Sequence, residues 1–238
     1  MSKTLIRQLV LDTETTGLSP RDGNRIVEIG CVELINRKLT GNNLHFYINP
    51  ERDSEEGALA VHGLTTEFLR DKPKFAEIAE SFCAYVRDAE IIIHNAPFDL
   101  GFLNAEFERL GLGLFTSYTG EIVDTLVQAK ELHPGKRNSL DALCDRYGIS
   151  NAHRKLHGAL LDAELLADVF LAMSRGQNSF VIDVEEDVQP DIQDEVVSDL
   201  PLADIRVQAA SVEELQAHES LVQGLDKQLK QDCIWRSL

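Results

Sequence analysis

Leu5-Ile6-Arg7-Gln8-Leu9-Val10-Leu11-Asp12-Thr13-Glu14 is the stretch on which the fold reading turns. Leu5, Ile6, Leu9, Val10 and Leu11 form a short apolar run that stops at Asp12, as a buried strand would. Two acids then follow at a spacing of two. In an extended chain that spacing points both carboxylates to one face.

Working outward, Ile26 to Ile35 reads as a second strand, with Val27, Ile29 and Cys31 alternating against Glu28 and Gly30. Leu44, Phe46 and Ile48 alternate with His45 and Tyr47 after a turn at Gly41-Asn42-Asn43, which completes an antiparallel meander. The period then changes. Phe75, Ile78, Ala79, Phe82 and Val86 fall at helical spacing, with Pro73 near the helix start. Ile91–Ile93 reads as a buried strand, Phe98–Leu110 as a helix stopped by Gly111, and Ile122-Val123 as a last strand. Ser139 caps a short helix closed by Gly148, and Gly158–Met173 forms a final helix. The expected fold is α/β: a mixed five-stranded sheet flanked by helices.

The composition is that of a globular chain: 43% hydrophobic and 26% charged, but only 6% aromatic. Lys3, Arg7, Asp12 and Glu14 leave no room for the apolar core of a signal peptide, and no apolar run is long enough to cross a bilayer. Cys31, Cys83, Cys144 and Cys233 are scattered without a C-x-x-C pair, as reduced core thiols would be. These features predict a cytoplasmic protein with no membrane association. The net charge of −17 argues against a simple nucleic-acid binder. Its distribution softens that objection, because residues 176–238 hold 14 acids against 4 bases, so that residues 1–175 carry only −7. A partner that holds the nucleic acid would resolve the conflict.

After Gly176 the pattern breaks. Residues 183–204 contain nine acids and no Lys or Arg, interrupted by Pro190 and Pro201. Such a stretch repels itself and buries little, which predicts a flexible acidic linker over 176–204. Order is expected to return over 205–238. There Ser211 and Glu214 have capping-box spacing ahead of Leu215, Leu221, Val222, Leu225 and Leu229. A lone amphipathic helix has no core of its own, so its apolar stripe is expected to dock on a partner or on the same chain. The expected domains are 1–175, 176–204 and 205–238.

Asp12 and Glu14 do not stand alone. Asp99 follows the Ile91–Ile93 strand near a helix start, and Asp162 sits early in a helix among Leu160, Leu161, Leu165 and Leu166. A carboxylate in so apolar a stripe is costly unless paired or bound to metal. His157 precedes Asp162 by five residues, about 140° apart within one helix, so the two converge only if His157 lies at or before the helix start. Four carboxylates and a histidine without cysteine suit hard, oxygen-loving divalent cations better than zinc. Hydrolysis of a phosphodiester needs an attacking water, a leaving 3′-oxygen and shielding of charge on phosphorus; two such cations supply these, with the histidine as base towards the water.

Three blocks carry a resemblance: Val10-Leu11-Asp12-Thr13-Glu14-Thr15-Thr16-Gly17-Leu18, His94-Asn95-Ala96-Pro97-Phe98-Asp99, and His157-Gly158-Ala159-Leu160-Leu161-Asp162-Ala163. In order and spacing they resemble the motifs of the DnaQ-like exonuclease family with a catalytic histidine, over residues 5–175. The resemblance implies a ribonuclease-H-like fold, two Mg²⁺ or Mn²⁺ ions and 3′→5′ hydrolysis releasing nucleoside monophosphates. Carried over by position, Asp12 bridges both ions, Glu14 and Asp162 bind the ion holding the attacking water, Asp99 acts largely through water ligands, and His157 is the base. Val61, His62 and Phe98 match positions that touch terminal bases, and Thr15 and Asn95 are expected to help hold the 3′ end.

Within that family, Pro134 to Cys144 and Cys233-Ile234-Trp235-Arg236 resemble the proofreading subunits of bacterial replicative polymerases of the DNA polymerase III type. That implies a single-stranded or frayed DNA end as substrate and the polymerase catalytic (alpha) subunit as partner, met through Leu221, Leu225 and Trp235. Gln177, Phe180 and Ile182 resemble a weak sliding-clamp peptide at 177–182, and a small accessory core subunit is a further partner in view. A stand-alone exoribonuclease of the same family is the alternative reading, and a non-catalytic interaction subunit a third. Lys136 and Arg137 are candidates to meet a phosphate backbone, although an exposed basic pair is more often just a solvated loop.

Overall fold

The computed structural model describes residues 6–151, 156–174 and 210–229. The expectations for Gln177, Phe180, Ile182, Cys233 and Trp235, for the acidic stretch 176–204, and for the side chains of Leu225 and Leu229 lie outside the described residues. The chain divides into two units, Met1–Asp183 and Val184–Leu238.

The strands of the first unit are β1 (Arg7–Thr15), β2 (Ile26–Ile35), β3 (Lys38–Leu39), β4 (Leu44–Tyr47), β5 (Glu90–Ile93) and β6 (Ile122–Asp124). Its helices are α1 (Glu56–His62), α2 (Thr66–Leu69), α3 (Phe75–Val86), α4 (Ala96–Arg109), α5 (Thr125–Leu132), α6 (Leu140–Tyr147) and α7 (Ala159–Ser174). The sheet runs β3-β2-β1-β5-β6, and β4 also pairs with β2. β1–β2 and β2–β4 are antiparallel, whereas β5 runs parallel to β1 and β6 parallel to β5. The sheet is therefore mixed, as expected, with six strands where five were read. The sixth, β3, is a two-residue return across a tight turn: Asn36 and Arg37 carry φ of 49° and 65°, and Ile35 pairs with Lys38. Neither turn residue is glycine, but the Arg37 guanidinium bonds Leu171 O and Ser174 Oγ on α7, which steadies the bend.

Strand alternation divides the core. Leu9, Leu11, Ile29, Cys31, Ile91 and Ile93 face α3 and α4, meeting Phe75, Phe82, Phe102 and Phe107. Val10, Val32, Leu34 and Ile92 face the other way, onto Ala163, Leu166, Ala167 and Phe170 of α7. The outer side of α7 packs on α5 and α6 through Leu165, Val169 and Met173. Arg25, at the start of β2, forks onto the buried Glu106 of α4 at 2.6 and 2.8 Å and fastens that helix to the sheet.

Three short helices were not read from the sequence: α1, α2 and α5. Each has too few turns to show a clear apolar period, and α2 is announced only by Thr65, whose side chain caps Phe68 N. Strand β1 also runs to Thr15, beyond the apolar run, because Asp12, Thr13 and Glu14 keep pairing with Gly30, Ile29 and Glu28. The candidate acids thus lie within the ladder. Register shifts only between Glu14 and Thr15.

In the second unit the described element is α8 (Val212–Leu229). Ser211 and Glu214 form the expected reciprocal cap: Ser211 N donates to Glu214 at 2.8 Å, and Glu214 N to Ser211 Oγ at 3.2 Å. Leu221 is exposed on it, as are Val212 and Leu215. Among the described residues no helix is long and apolar enough to cross a membrane.

Candidate active site

Asp12 and Glu14 project from β1 on the face that α7 covers, the face shared with Val10. The approach of α7 depends on Gly30, which pairs with Asp12 across the ladder. A Cβ there would lie 2.3–2.4 Å from the Ala159 carbonyl carbon and from Leu160 N and Cα, so the helix start rests on bare backbone. That contact brings Asp162, in the first turn of α7 and 3% exposed, down onto the carboxylate end of β1.

His157 stands two residues ahead of Ala159, outside the helix, as its convergence with Asp162 demands. Its N–H donates to Val61 O at 3.1 Å, tying the segment to the last turn of α1. Its Nδ1 is 3.2 Å from Asp162 Oδ2. Ligand atoms of Glu14, His157 and Asp162 all lie within 4.8 Å of one another. Two carboxylates and an imidazole so close, without a thiolate, are a donor set that fits a hard divalent cation.

Asp12 and Asp99 are not part of that group of three. Asp12 is two residues before Glu14 on the same face of β1. Asp99 comes from the first turn of α4, across the sheet, where it is 3% exposed and accepts the Thr13 hydroxyl at 2.7 Å. Thr13 faces away from its neighbours Asp12 and Glu14, so Asp99 reaches the strand from the α4 side. Burial pushes the Asp99 carboxyl up from 3.8 to about 7, with the Asp124 charge adding to the rise and the Thr13 hydroxyl opposing it.

The residues expected to contact substrate come from the end of β1, the last turn of α1 and the start of α4. His62 is 4% exposed at the end of α1, and its Nδ1 accepts Leu64 N at 2.9 Å, which leaves the proton on Nε2. Burial lowers its pKa, against a hydrogen bond to the Thr15 backbone. Val61 is exposed, Thr15 is buried with its hydroxyl on Gly17 O, and Phe98 is half-buried against Phe102. Asn95 is exposed in the left-handed region at φ 70°.

Two positioning groups escaped the sequence reading. Asp124, ending β6, accepts from four backbone N–H groups: Asn95 and Ala96 at the start of α4, and Leu126 and Val127 at the start of α5. Its place before a helix was a capping signal; its reach to a second helix was not visible. Glu28, which pairs with Glu14, is buried and lies 2.6 Å from His45 Nε2.

The exonuclease family of the ribonuclease T type matches residues 9–170. DNA polymerase III subunit epsilon of Pasteurella multocida (strain Pm70) is 48% identical over 235 residues, covering 96% of this chain and 93% of the relative. The subunit of the same name from Escherichia coli (strain K12) is 46% identical over 244 residues, covering 100% of both. Among solved structures, Exonuclease X in complex with 5′-overhanging duplex DNA superposes with a TM-score of 0.58 at 26% identity, covering 73% of this chain and 93% of that one. With a strand-borne acid pair, a histidine and an aspartate at the start of α7, and relatives matched along nearly their whole length, the chain belongs to the DnaQ-like exonucleases and, within them, to the DNA polymerase III epsilon subunits.

Proposed function

We propose that this chain is the 3′→5′ exodeoxyribonuclease that edits newly made DNA as a subunit of the DNA polymerase III core. The observation that carries the reading is the group Glu14, His157 and Asp162, with donor atoms within 4.8 Å, beside Asp12 on the same strand face. Asp12, Glu14 and Asp162, with Asp99 acting through water, would hold a pair of Mg²⁺ or Mn²⁺ ions. Bound there, the ions would shield charge on the phosphorus and acidify the attacking water.

The protein's own groups do the rest. Asp162 beside Nδ1 orients the His157 ring and directs Nε2 to accept the proton of the attacking water. The new P–O bond forms from that water, the bond from phosphorus to the 3′-oxygen of the preceding nucleotide breaks, and that oxygen takes up a proton from solvent. A nucleoside 5′-monophosphate is released. Val61, His62, Phe98, Thr15 and Asn95 are assigned to the terminal nucleotide. No base-specific pocket is required, because a mismatched end frays and presents a single strand at lower cost than a paired one.

The exonuclease domain is assigned to residues 1–175, the linker to 176–204 and the polymerase-binding segment to 205–238. Exposed Leu221 on α8 supports docking of the catalytic alpha subunit there. The clamp peptide at 177–182, a small accessory subunit and a cytoplasmic location complete the reading.

The test compares matched and mismatched DNA 3′ ends, and an RNA strand, using the wild type and Asp12→Ala. Faster removal of mismatched DNA ends, abolished by Asp12→Ala, is expected. Equal rates on both duplexes would overturn editing by fraying, and preference for RNA would favour the exoribonuclease alternative. Copurification with the host polymerase is expected for the full chain and not for a chain ending at Gly176.

A further inference from the structure

Next to the hydrolytic group lies a cavity of about 470 Å³, lined by His94, Leu126, Lys130, Lys136, Leu140 and His157 among others. His157 belongs to both, so whatever fills the cavity adjoins the scissile bond. Lys130 extends from the last turn of α5, and Lys136 from the loop between α5 and α6. Both are exposed, and neither makes an ion pair among the described residues. The acid in its lining is Asp141, to which Asn151 donates at 3.0 Å.

The loop that carries Lys136 is held in place. Arg146 on α6 donates to Asn138 Oδ1 at 3.1 Å and to Arg137 O at 2.7 Å, and His133 Nε2 lies 2.8 Å from the Tyr147 hydroxyl. His94 forms an uncharged wall: burial depresses its pKa, and its Nδ1 is 2.9 Å from Thr125 Oγ1. The result is a preformed concavity whose lining combines Lys130 and Lys136 with Leu126 and Leu140.

On a chain of net charge −17, paired cations beside the hydrolytic group call for an anionic occupant. The exonuclease reading supplies one, and this inference rests on it. Only the terminal nucleotide is cleaved, so the remaining strand must leave the site on the 5′ side of the broken bond, carrying one phosphate per residue. Lysines bind such phosphates as point charges without reading sequence, as an editing enzyme requires. The side chain of Asn138, the carboxamide in the lining, is committed to Arg146 and to His133 O, so it is not available to read a base. We propose that this cavity is the subsite for the phosphodiester backbone on the 5′ side of the scissile bond, with Lys130 and Lys136 contacting its phosphates.

The test uses the full chain carrying Lys130→Gln and Lys136→Gln together, with a single-stranded DNA oligonucleotide and the p-nitrophenyl ester of thymidine 5′-monophosphate. The ester has a scissile phosphate but none upstream. The ratio of oligonucleotide to ester kcat/KM is expected to fall roughly tenfold, through KM. The salt slope of log kcat/KM on the oligonucleotide should become shallower by about 1.4, or about 0.7 for each lost phosphate contact on a single strand. Lys136→Arg restored beside native Lys130 should recover the slope. An unchanged ratio and slope in an active enzyme would overturn the subsite alone, as would a parallel loss on both substrates. A wild type that hydrolyses neither substrate overturns the exonuclease reading, and the subsite with it.

Discussion

Gly30 on β2 and Leu160 on α7 meet so closely that a Cβ on the glycine would stand 2.3–2.4 Å from the Leu160 backbone. The helix that carries Asp162 is therefore seated on the strand that pairs with Asp12. Gly30→Ala should push α7 off the sheet. We expect a loss of about 3 kcal/mol in urea unfolding, the upper range for overpacking a rigid site, and a loss of nuclease activity larger than the unfolded fraction explains. A variant with wild-type midpoint and rate would show that the contact is not needed.

Metal binding should appear as stability. In the wild type, Mn²⁺ at a hundred times its dissociation constant should add about 2.7 kcal/mol. Asp162→Asn replaces a buried carboxylate of the group of three with a neutral amide and should lose most of that gain together with activity. Thermal melts with and without EDTA check it. An equal gain in both proteins would place the cation elsewhere.

Asp99 makes the metal-free protein sensitive to pH. Its carboxyl titrates at about 7 when folded, against 3.8 ordinarily. Between those values the unfolded chain has released this proton while the folded chain keeps it, so the group's contribution to stability falls as pH rises from about 4 to 7 and is level above. In EDTA, Asp99→Asn should flatten that decline in the unfolding free energy. A variant that follows the wild-type slope would count against the assignment.

Asp124 caps two helices with one carboxylate. Asp124→Ala removes both caps and should cost roughly 2–4 kcal/mol, judged from 0.5–2 kcal/mol for a single cap. Asp124→Asn keeps one acceptor oxygen and should cost less. Chemical denaturation distinguishes them, and equal midpoints for Asn and Ala would refute the double cap.

Much of this was written locally in the chain. The alternation around Ile29 and Cys31 and the helical spacing from Phe75 to Val86 yielded strand and helix because burial on one face leaves its period in the sequence. Helices α1, α2 and α5 left no such trace, being too short to repeat one, and β3 depends on two non-glycine residues at positive φ that Arg37 stabilises through distant atoms of α7. The site divides in the same way. The spacing of His157 and Asp162 already required the histidine to precede the helix, and it does, by two residues. That Asp99 would bond Thr13, on the strand face opposite Glu14, was not legible, because it depends on which side of the sheet α4 packs.

By itself, then, the sequence determined the mixed α/β plan, the acids and histidine available for chemistry, and the cap at Ser211, all of which rest on neighbours in the chain or on residue type. Only the tertiary structure decided that Glu14, His157 and Asp162 form the tight group, that Asp99 is held from the other face, and that Lys136 joins Lys130 at a cavity shared with His157. The physical reason is packing: these distances follow from a helix resting on Gly30, one carboxylate pinning two helix starts, and a loop fastened by Arg146.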